Sequence, residues 1–243
     1  VNYNINAGGV TISGTPSNDV TTPTSSTYTV TTTGGCDPAT ATGIITVDPD
    51  HNMVISAGSA SQTICEGDAI SDIDFTVSEG AAGTEPILVG EPSGITIILV
   101  AGPLYRLSGT INENIGASQT YNFDVVSQGN GCDQVTTPVS ITVDPDQELT
   151  LTSANATQII CEGDSIAPIT YALAGGATNA SVTNLPTGVS YTVSAGVVTI
   201  SGTPTDDITT STPTTFTVIS TGSCTAAPQL QGTITVEADH DMV

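Results

Sequence analysis

The sequence predicts an all-β chain of tandem Greek-key β-sandwich repeats, and three observations carry the prediction. Apolar residues make up 37% of the 243 positions and fall in short Val/Ile/Thr/Tyr runs broken by Gly, Pro, Asn and Asp, the pattern of strands joined by turns. The same short segments return along the chain with a step of 92–96 residues. No stretch shows the periodicity of an amphipathic helix. A unit of that length is about the size of an immunoglobulin-like sandwich, roughly 100 residues.

Taken in chain order, the landmarks divide the sequence into units. Val1-Asn2-Tyr3 aligns with Val189-Ser190-Tyr191, and Thr11-Ile12-Ser13-Gly14-Thr15-Pro16 returns as Thr199-Ile200-Ser201-Gly202-Thr203-Pro204. Residues 1–48 therefore read as the C-terminal half of an immunoglobulin-like repeat. Val47-Asp48-Pro49-Asp50 leads into a complete repeat over 49–144, which carries Ile64-Cys65-Glu66-Gly67-Asp68 and a shortened Leu107-Ser108-Gly109-Thr110. Val143-Asp144-Pro145-Asp146 leads into a second complete repeat over 145–237, with Ile160-Cys161-Glu162-Gly163-Asp164 at the matching place. Residues 238–243, which match Pro49 to Val54 in character, read as the start of a linker to a further repeat. The expectation is a window from a longer protein. Within 145–237, alternation predicts strands near Ile169-Tyr171-Leu173, Ala180-Val182, Val189-Tyr191-Val193, Val197-Ile200, Phe216-Val218-Ser220 and Thr233-Val236. Hairpin turns are expected at Ser194-Ala195-Gly196 and Thr221-Gly222-Ser223. A parallel β-helix fits worse, because its repeats are far shorter.

Charge excludes several classes of function. There are 24 acidic residues against one basic residue, Arg106, for a formal net charge of −23. A binder of phosphate backbones needs Lys and Arg to displace counterions, so nucleic acid is excluded as a partner. Anionic lipid surfaces would repel the chain, and no run approaches the ~20 apolar residues that span a bilayer, so direct membrane insertion is not expected. The absence of lysine removes Schiff-base chemistry, a P-loop lysine and Lys-Asn isopeptide crosslinks. Dispersed acid reads first as a solvated, non-aggregating surface.

Five cysteines in a polar chain point to an oxidising compartment. One pairing joins Cys65 to Cys132 and Cys161 to Cys224 within repeats and leaves Cys36 with a partner outside the window. The other joins Cys36 to Cys65 and Cys132 to Cys161. The first is preferred, because Cys36 precedes a strand that carries the chain ~20 Å away at ~3.3 Å per residue, yet periodicity alone does not choose. Zinc fits less well, since the cysteines are not closely paired and His51 and His240 read as linker residues.

No catalytic constellation is legible, and the chain is expected not to be an enzyme. A nucleophile needs a base beside it, and on this reading both histidines lie beside repeat boundaries, which leaves a module's serines no histidine to use. The acids that stand out are Asp48 and Asp50, and Asp144 and Asp146, placed where one sandwich ends and the next begins. As hard oxygen ligands they could hold calcium at the joint. The plainer reading is a proline-stiffened polar hinge, since the Asp-x-Asp-x-Asp-Gly loop is missing. A low aromatic content of 4%, with no tryptophan, argues against a stacked-ring sugar platform.

The segments Gln158-Ile159-Ile160-Cys161-Glu162-Gly163-Asp164-Ser165-Ile166, Asn184-Leu185-Pro186-Thr187-Gly188-Val189, Thr199–Pro204 and Gly232-Thr233-Ile234-Thr235-Val236 resemble a known module. They are similar to the tandem immunoglobulin-like repeats of giant Bacteroidota cell-surface proteins, including gliding-motility adhesins exported by the type IX secretion system. The repeat over 49–144 departs from the pattern, with Glu91-Pro92-Ser93-Gly94-Ile95 in place of Leu-Pro-x-Gly-Val. The resemblance covers the whole chain and implies an extracellular, cell-surface stalk or adhesin. Its partners would be further repeats of the same chain and an extracellular surface or polysaccharide. It also implies O-glycosylation at Asp-Ser/Thr followed by an apolar residue, which Asp164-Ser165-Ile166 matches, making Ser165 the candidate. Two alternatives stand beside the stalk: a self-assembling filament or sheath subunit, and a carbohydrate-binding module.

Overall fold

The computed structural model describes residues 1–6, 8–205, 210–224 and 229–238. All regular structure among them is β. The strands are β1 (Asn2–Asn6), β2 (Gly9–Ser13), β3 (Thr24–Thr31), β4 (Thr40–Val47), β5 (His51–Ala57), β6 (Ser61–Cys65), β7 (Ile73–Glu79), β8 (Ile87–Val89), β9 (Ile95–Ala101) and β10 (Leu104–Gly109). They continue as β11 (Gln119–Val126), β12 (Thr136–Asp144), β13 (Gln147–Leu151), β14 (Thr157–Cys161), β15 (Ile169–Gly175), β16 (Ala177–Thr183), β17 (Val189–Ser194), β18 (Val197–Gly202), β19 (Thr212–Gly222) and β20 (Leu230–Glu237). No helix among the described residues is long and apolar enough to cross a membrane.

Strands β5 to β12 make two four-stranded sheets in the orders β5-β7-β10-β9 and β6-β12-β11-β8. Strands β13 to β20 repeat the arrangement as β13-β15-β18-β17 and β14-β20-β19-β16. This is the immunoglobulin pattern, with the first strand split so that its second part crosses over and pairs parallel with the last. Thus β6 runs parallel to β12, Cys65 opposite Asp144, and β14 runs parallel to β20, Cys161 opposite Glu237.

Alternation explains how each sandwich closes. Along β12, Val139, Ile141 and Val143 are buried while Ser140 and Thr142 face outward, as a period of two dictates. One core gathers Ile73, Phe75, Leu107, Phe123, Val125 and Ile141. A separate one gathers Ile169, Tyr171, Ile200, Phe216, Val218 and Ile234. Each such side chain contributes about 1.5–3 kcal/mol by leaving water. Residues before Pro49 form only two-stranded sheets, β1-β2 and β3-β4, the counterparts of β17-β18 and β19-β20. Their apolar side chains stay exposed, Tyr3 at 72% and Ile5 and Ile44 at 68% each, and Tyr3 and Ile5 line an open groove of about 850 Å³.

The six strands predicted in 145–237 are present as β15 to β20, and the all-β immunoglobulin-like expectation holds. Two details differ. Strands β13 and β14 were not expected, and Thr221-Gly222 is not a turn: it ends β19, with Thr221 opposite Asn179 and Gly222 opposite Ala177. The turn at Ser194-Ala195-Gly196 is present, with Ala195 and Gly196 at φ 47° and 75°.

Two consensus segments prove to be one backbone device. Leu185-Pro186-Thr187-Gly188-Val189 turns into β17 with the Val189 amide donating to the Pro186 carbonyl at 3.1 Å, and Val189 pairs with Gly202 of Ser-Gly-Thr-Pro. Gly188 and Gly202 have φ of 84° and 138°. A Cβ on Gly202 would lie 2.4 Å from the Gly188 carbonyl oxygen, and one on Gly188 would lie 2.2 Å from that of Thr203. The repeat over 49–144 keeps the device despite its altered sequence: the Ile95 amide donates to the Pro92 carbonyl at 3.4 Å and Ile95 pairs with Gly109.

Candidate functional site at the junction between repeats

The recurrent Cys-Glu-Gly-Asp segment is a β-turn. The Asp68 amide donates to the Cys65 carbonyl at 3.0 Å, and Gly67 sits at φ 81°, the third position of a type II turn. The upstream Gln62 side chain fastens the following loop as a strand would: its Nε2 donates to Ser71 O at 2.8 Å and its Oε1 accepts from Ser71 N at 2.8 Å. Gln158 does the same to Ala167, at 2.7 and 2.9 Å. Because β6 is parallel to β12, this turn presents Cys65 at the trailing pole of its sandwich, where Asp144 leaves it. The Glu66 amide donates to the Asp144 carbonyl at 2.9 Å.

The other cysteine of each repeat lies at the opposite pole. Cys132 follows β11 and precedes β12, in the hairpin loop at the leading end, where its Sγ approaches the Asp48 carbonyl at 3.7 Å. Cys224 occupies the same loop of the next repeat, its Sγ 3.5 Å from the Asp144 carbonyl. Gln147 Nε2 donates to the Cys224 carbonyl at 3.1 Å. Cys65 and Cys224 thus meet across the junction, and they are bonded, with Cα atoms 5.4 Å apart and a sequence separation of 159.

This corrects the expected pairings. Cys65 does not bond Cys132, and Cys161 does not bond Cys224; nor do the alternatives Cys36 to Cys65 and Cys132 to Cys161 form. Cys36, Cys132 and Cys161 are free. The reason is reach: the 9 residues of β12 span about 30 Å between the two poles, while a disulfide needs Cα atoms within roughly 7 Å. Burial first, then the charges of Asp48, Asp50 and Asp133, push the Cys132 thiol above its usual range.

The linker aspartates act through their backbones. Asp50 O accepts from Gly80 N and Asp146 O from Gly176 N, both at 2.9 Å. The Asp144 carboxylate accepts from Ser118 Oγ at 2.6 Å. Among the described residues, no three His, Cys, Asp or Glu side chains gather in a way that could hold a metal ion. Ser165, the glycosylation candidate, is exposed and shares a 2.7 Å hydrogen bond with Thr203 Oγ1.

His51 is not a linker residue. It begins β5, is 5% exposed, and its Nδ1 lies 2.8 Å from Ser127 Oγ while Nε2 lies 3.2 Å from the Asn130 carbonyl. The carbonyl only accepts, so Nε2 donates to it. Ser127 also accepts from the Val135 amide at 2.8 Å and is fully buried. This serine-histidine pair is sealed from substrate and ties the leading loop to the linker; Gln147 takes the histidine's place in the next repeat. His240 lies outside the described residues, as does the rest of 239–243.

Arg106, the one basic residue, is spent locally. It grips Asp74 with two bonds, Nε to Oδ1 at 2.7 Å and Nη2 to Oδ2 at 2.9 Å, and reaches Asp72 at 3.0 Å. This clamp holds the Asp74 carboxyl below its usual range.

No protein-family profile matches the chain, and no curated protein matches it. Solved structures do. An I-band fragment of titin superposes with a TM-score of 0.56 at 9% identity, over 89% of this chain and 75% of that one, which shows the fold. The extracellular domain of protocadherin gammaB4 is more distant, at TM-score 0.48 and 14% identity over 88% of this chain and 37% of its own. The paired immunoglobulin domains of DIP-gamma stand at 0.45 and 10%, over 80% and 100%.

Proposed function

We propose that the chain is the stalk of an adhesive cell-surface protein: immunoglobulin-like sandwiches in series that hold something away from the cell or against a substratum. The observation that carries the reading is the junction. Each complete sandwich has its own core, the linker between them is short, and a disulfide bonds one module to the next. Such a joint resists bending and swivelling, which a spacer needs and an isolated binding module does not. The finer setting follows from the repeat consensus: a large secreted protein of the Bacteroidota gliding-adhesin kind, exported by type IX secretion. Two measurements test this. Antibody against the chain should label intact, unpermeabilised cells of the source, and small-angle scattering should give a radius of gyration well above the roughly 18 Å of a compact globule of this length. A compact particle, or label only after permeabilisation, would refute the stalk.

One observation favours self-assembly as a second reading. Strand β9 lies at a sheet edge and exposes Ile98, Leu99 and Val100 at 52%, 56% and 45%, and long apolar edges invite pairing with another chain. A sedimentation coefficient that rises with concentration in the natural chain but not in Ile98→Lys would support a filament subunit; a concentration-independent monomer removes it.

A further inference from the structure

We infer that Cys161 and Cys132 are the two halves of further junctions of the same kind, so that each module is covalently bonded to both neighbours and the stalk is laced by overlapping disulfides. The inference rests on the stalk reading and extends it from one joint to all.

Both half-sites are already built in the form of the joint that is closed. Cys161 stands opposite Glu237 as Cys65 stands opposite Asp144. The Glu162 amide donates to the Glu237 carbonyl at 3.0 Å as Glu66 does to Asp144, and the Asp164 amide returns to the Cys161 carbonyl at 3.1 Å. Gly163 repeats the φ of Gly67, 81° in each. Cys161 is exposed at that pole, where Cys65 receives Cys224. At the leading pole, Cys132 is held 3.7 Å from the Asp48 carbonyl just as Cys224 is held 3.5 Å from that of Asp144. Since Asp144 is the strand partner of Cys65, the place beside Asp48 is where a Cys-Glu-Gly-Asp cysteine of the preceding module would arrive. The partner of Cys161 is then the hairpin cysteine of a module seated directly after Glu237.

The bond forms by exchange with a small-molecule disulfide such as oxidised glutathione. The Cys161 thiolate attacks one sulfur and releases a glutathione thiolate, which takes up a proton. The hairpin cysteine's thiolate then attacks Cys161 Sγ in the mixed disulfide and releases the second glutathione. Two protein thiols are oxidised and one small disulfide is reduced to two thiols.

The test lengthens the full chain by a second copy of residues 145–237 inserted after Glu237, and oxidises it in a glutathione buffer at low protein concentration. Peptide mapping without reduction should find Cys65 with Cys224, as before, and Cys161 with the hairpin cysteine of the inserted copy. Alkylation of Cys161 should fall roughly tenfold relative to the natural chain and recover when the inserted hairpin cysteine is changed to serine. A reciprocal chain, in which residues 1–48 are replaced by a copy of 49–144, should protect Cys132 and keeps the test open if the first insert fails to fold. Cys161 and Cys132 remaining fully alkylated while Cys65–Cys224 forms would overturn the inference, as would covalent dimers through Cys161 or a bond to Cys224 of its own module. A chain that is extended and surface-exposed yet fails this test would sink the laced joints and spare the stalk.

Discussion

Replacing Cys224 by serine is expected to destabilise both sandwiches it helps to join. When the module after Asp144 unfolds and its neighbour stays folded, the segment from the linker to Cys224, about 80 residues, remains tethered at both ends by the disulfide. Closing a loop of that length removes about 4.5 kcal/mol of chain entropy from the unfolded state at 25 °C. The segment from Cys65 to the linker is of similar length, so the preceding module gains a like amount when it unfolds alone. Measured crosslinks often deliver about half the entropic ceiling. At about 4–8 °C per kcal/mol for a domain of this size, Cys224→Ser should lower the melting temperature by about 9–18 °C. Far-UV circular dichroism is the assay, since the chain has no tryptophan. Cys65→Ser should give the same drop, and the double variant should add nothing, because both remove one bond. A disulfide-mapped natural chain that melts within about 3 °C of Cys224→Ser would refute the reasoning.

Four further perturbations test other parts of the structure. Tyr171 is 1% exposed, and its hydroxyl has no partner among the described residues; Phe75 fills the same place in the preceding module, so Tyr171→Phe should raise stability by about 1 kcal/mol in urea unfolding. Gly202→Ala adds a Cβ 2.4 Å from a backbone oxygen at a φ of 138° and should cost about 2 kcal/mol or more; a neutral result would mean that the hairpin end can open. Asp74 is held ionised by Arg106, so its contribution is present above its ordinary value of 3.8 and is lost as pH falls through the lower folded value. The urea-midpoint gap between the natural chain and Asp74→Asn should therefore close on acidification, and a gap unchanged from pH 7 to about pH 2 would contradict the clamp. Tyr121 donates to the Glu113 carboxylate at 2.5 Å, which with burial pushes its phenol up to about 12; that stabilisation is complete below 10 and fades as pH rises toward 12. Glu113→Gln should bring one tyrosine's ultraviolet titration to lower pH.

Strands β16 and β17 each bury one side chain, Ala180 and Val189, whereas β15, β18, β19 and β20 alternate buried with more exposed positions over a core that only a sandwich supplies, and the alternation of residue types made all six legible. Strands β13 and β14 were not. Leu149 and Leu151 alternate with Glu148 and Thr150, but the run is only five residues, and the chain then switches sheets at Ser153-Ala154-Asn155, a step that periodicity does not mark. That switch also hid the disulfide. The repeat step that relates Cys65 to Cys161 and Cys132 to Cys224 sets how many residues lie between them, not which pole each occupies. The pole follows from the parallel pairing of β6 with β12, a contact between residues 79 apart, as Ser140 pairs with Ser61. One clue was in the sequence: Cys65 ends a short strand and Cys132 precedes a long one, so a strand's length had to separate them. The histidine was misplaced for a related reason. Asp-Pro-Asp reads as a linker, and nothing local shows that the next residue already starts a strand and turns its ring inward to Ser127.

The bond between Cys65 and Cys224 also decides how the molecule carries a pull. Tension applied along the chain enters through β5 and β6, crosses at Cys65 to Cys224, and leaves through β20. The residues between the two cysteines, a sequence separation of 159, include β7 to β19 and lie off that path. Without the bond they could pay out roughly 520–570 Å of extended chain at about 3.3–3.6 Å per residue. With it, a sandwich whose core is broken by a sudden load cannot lengthen through that loop, and it refolds between ends that have stayed in place.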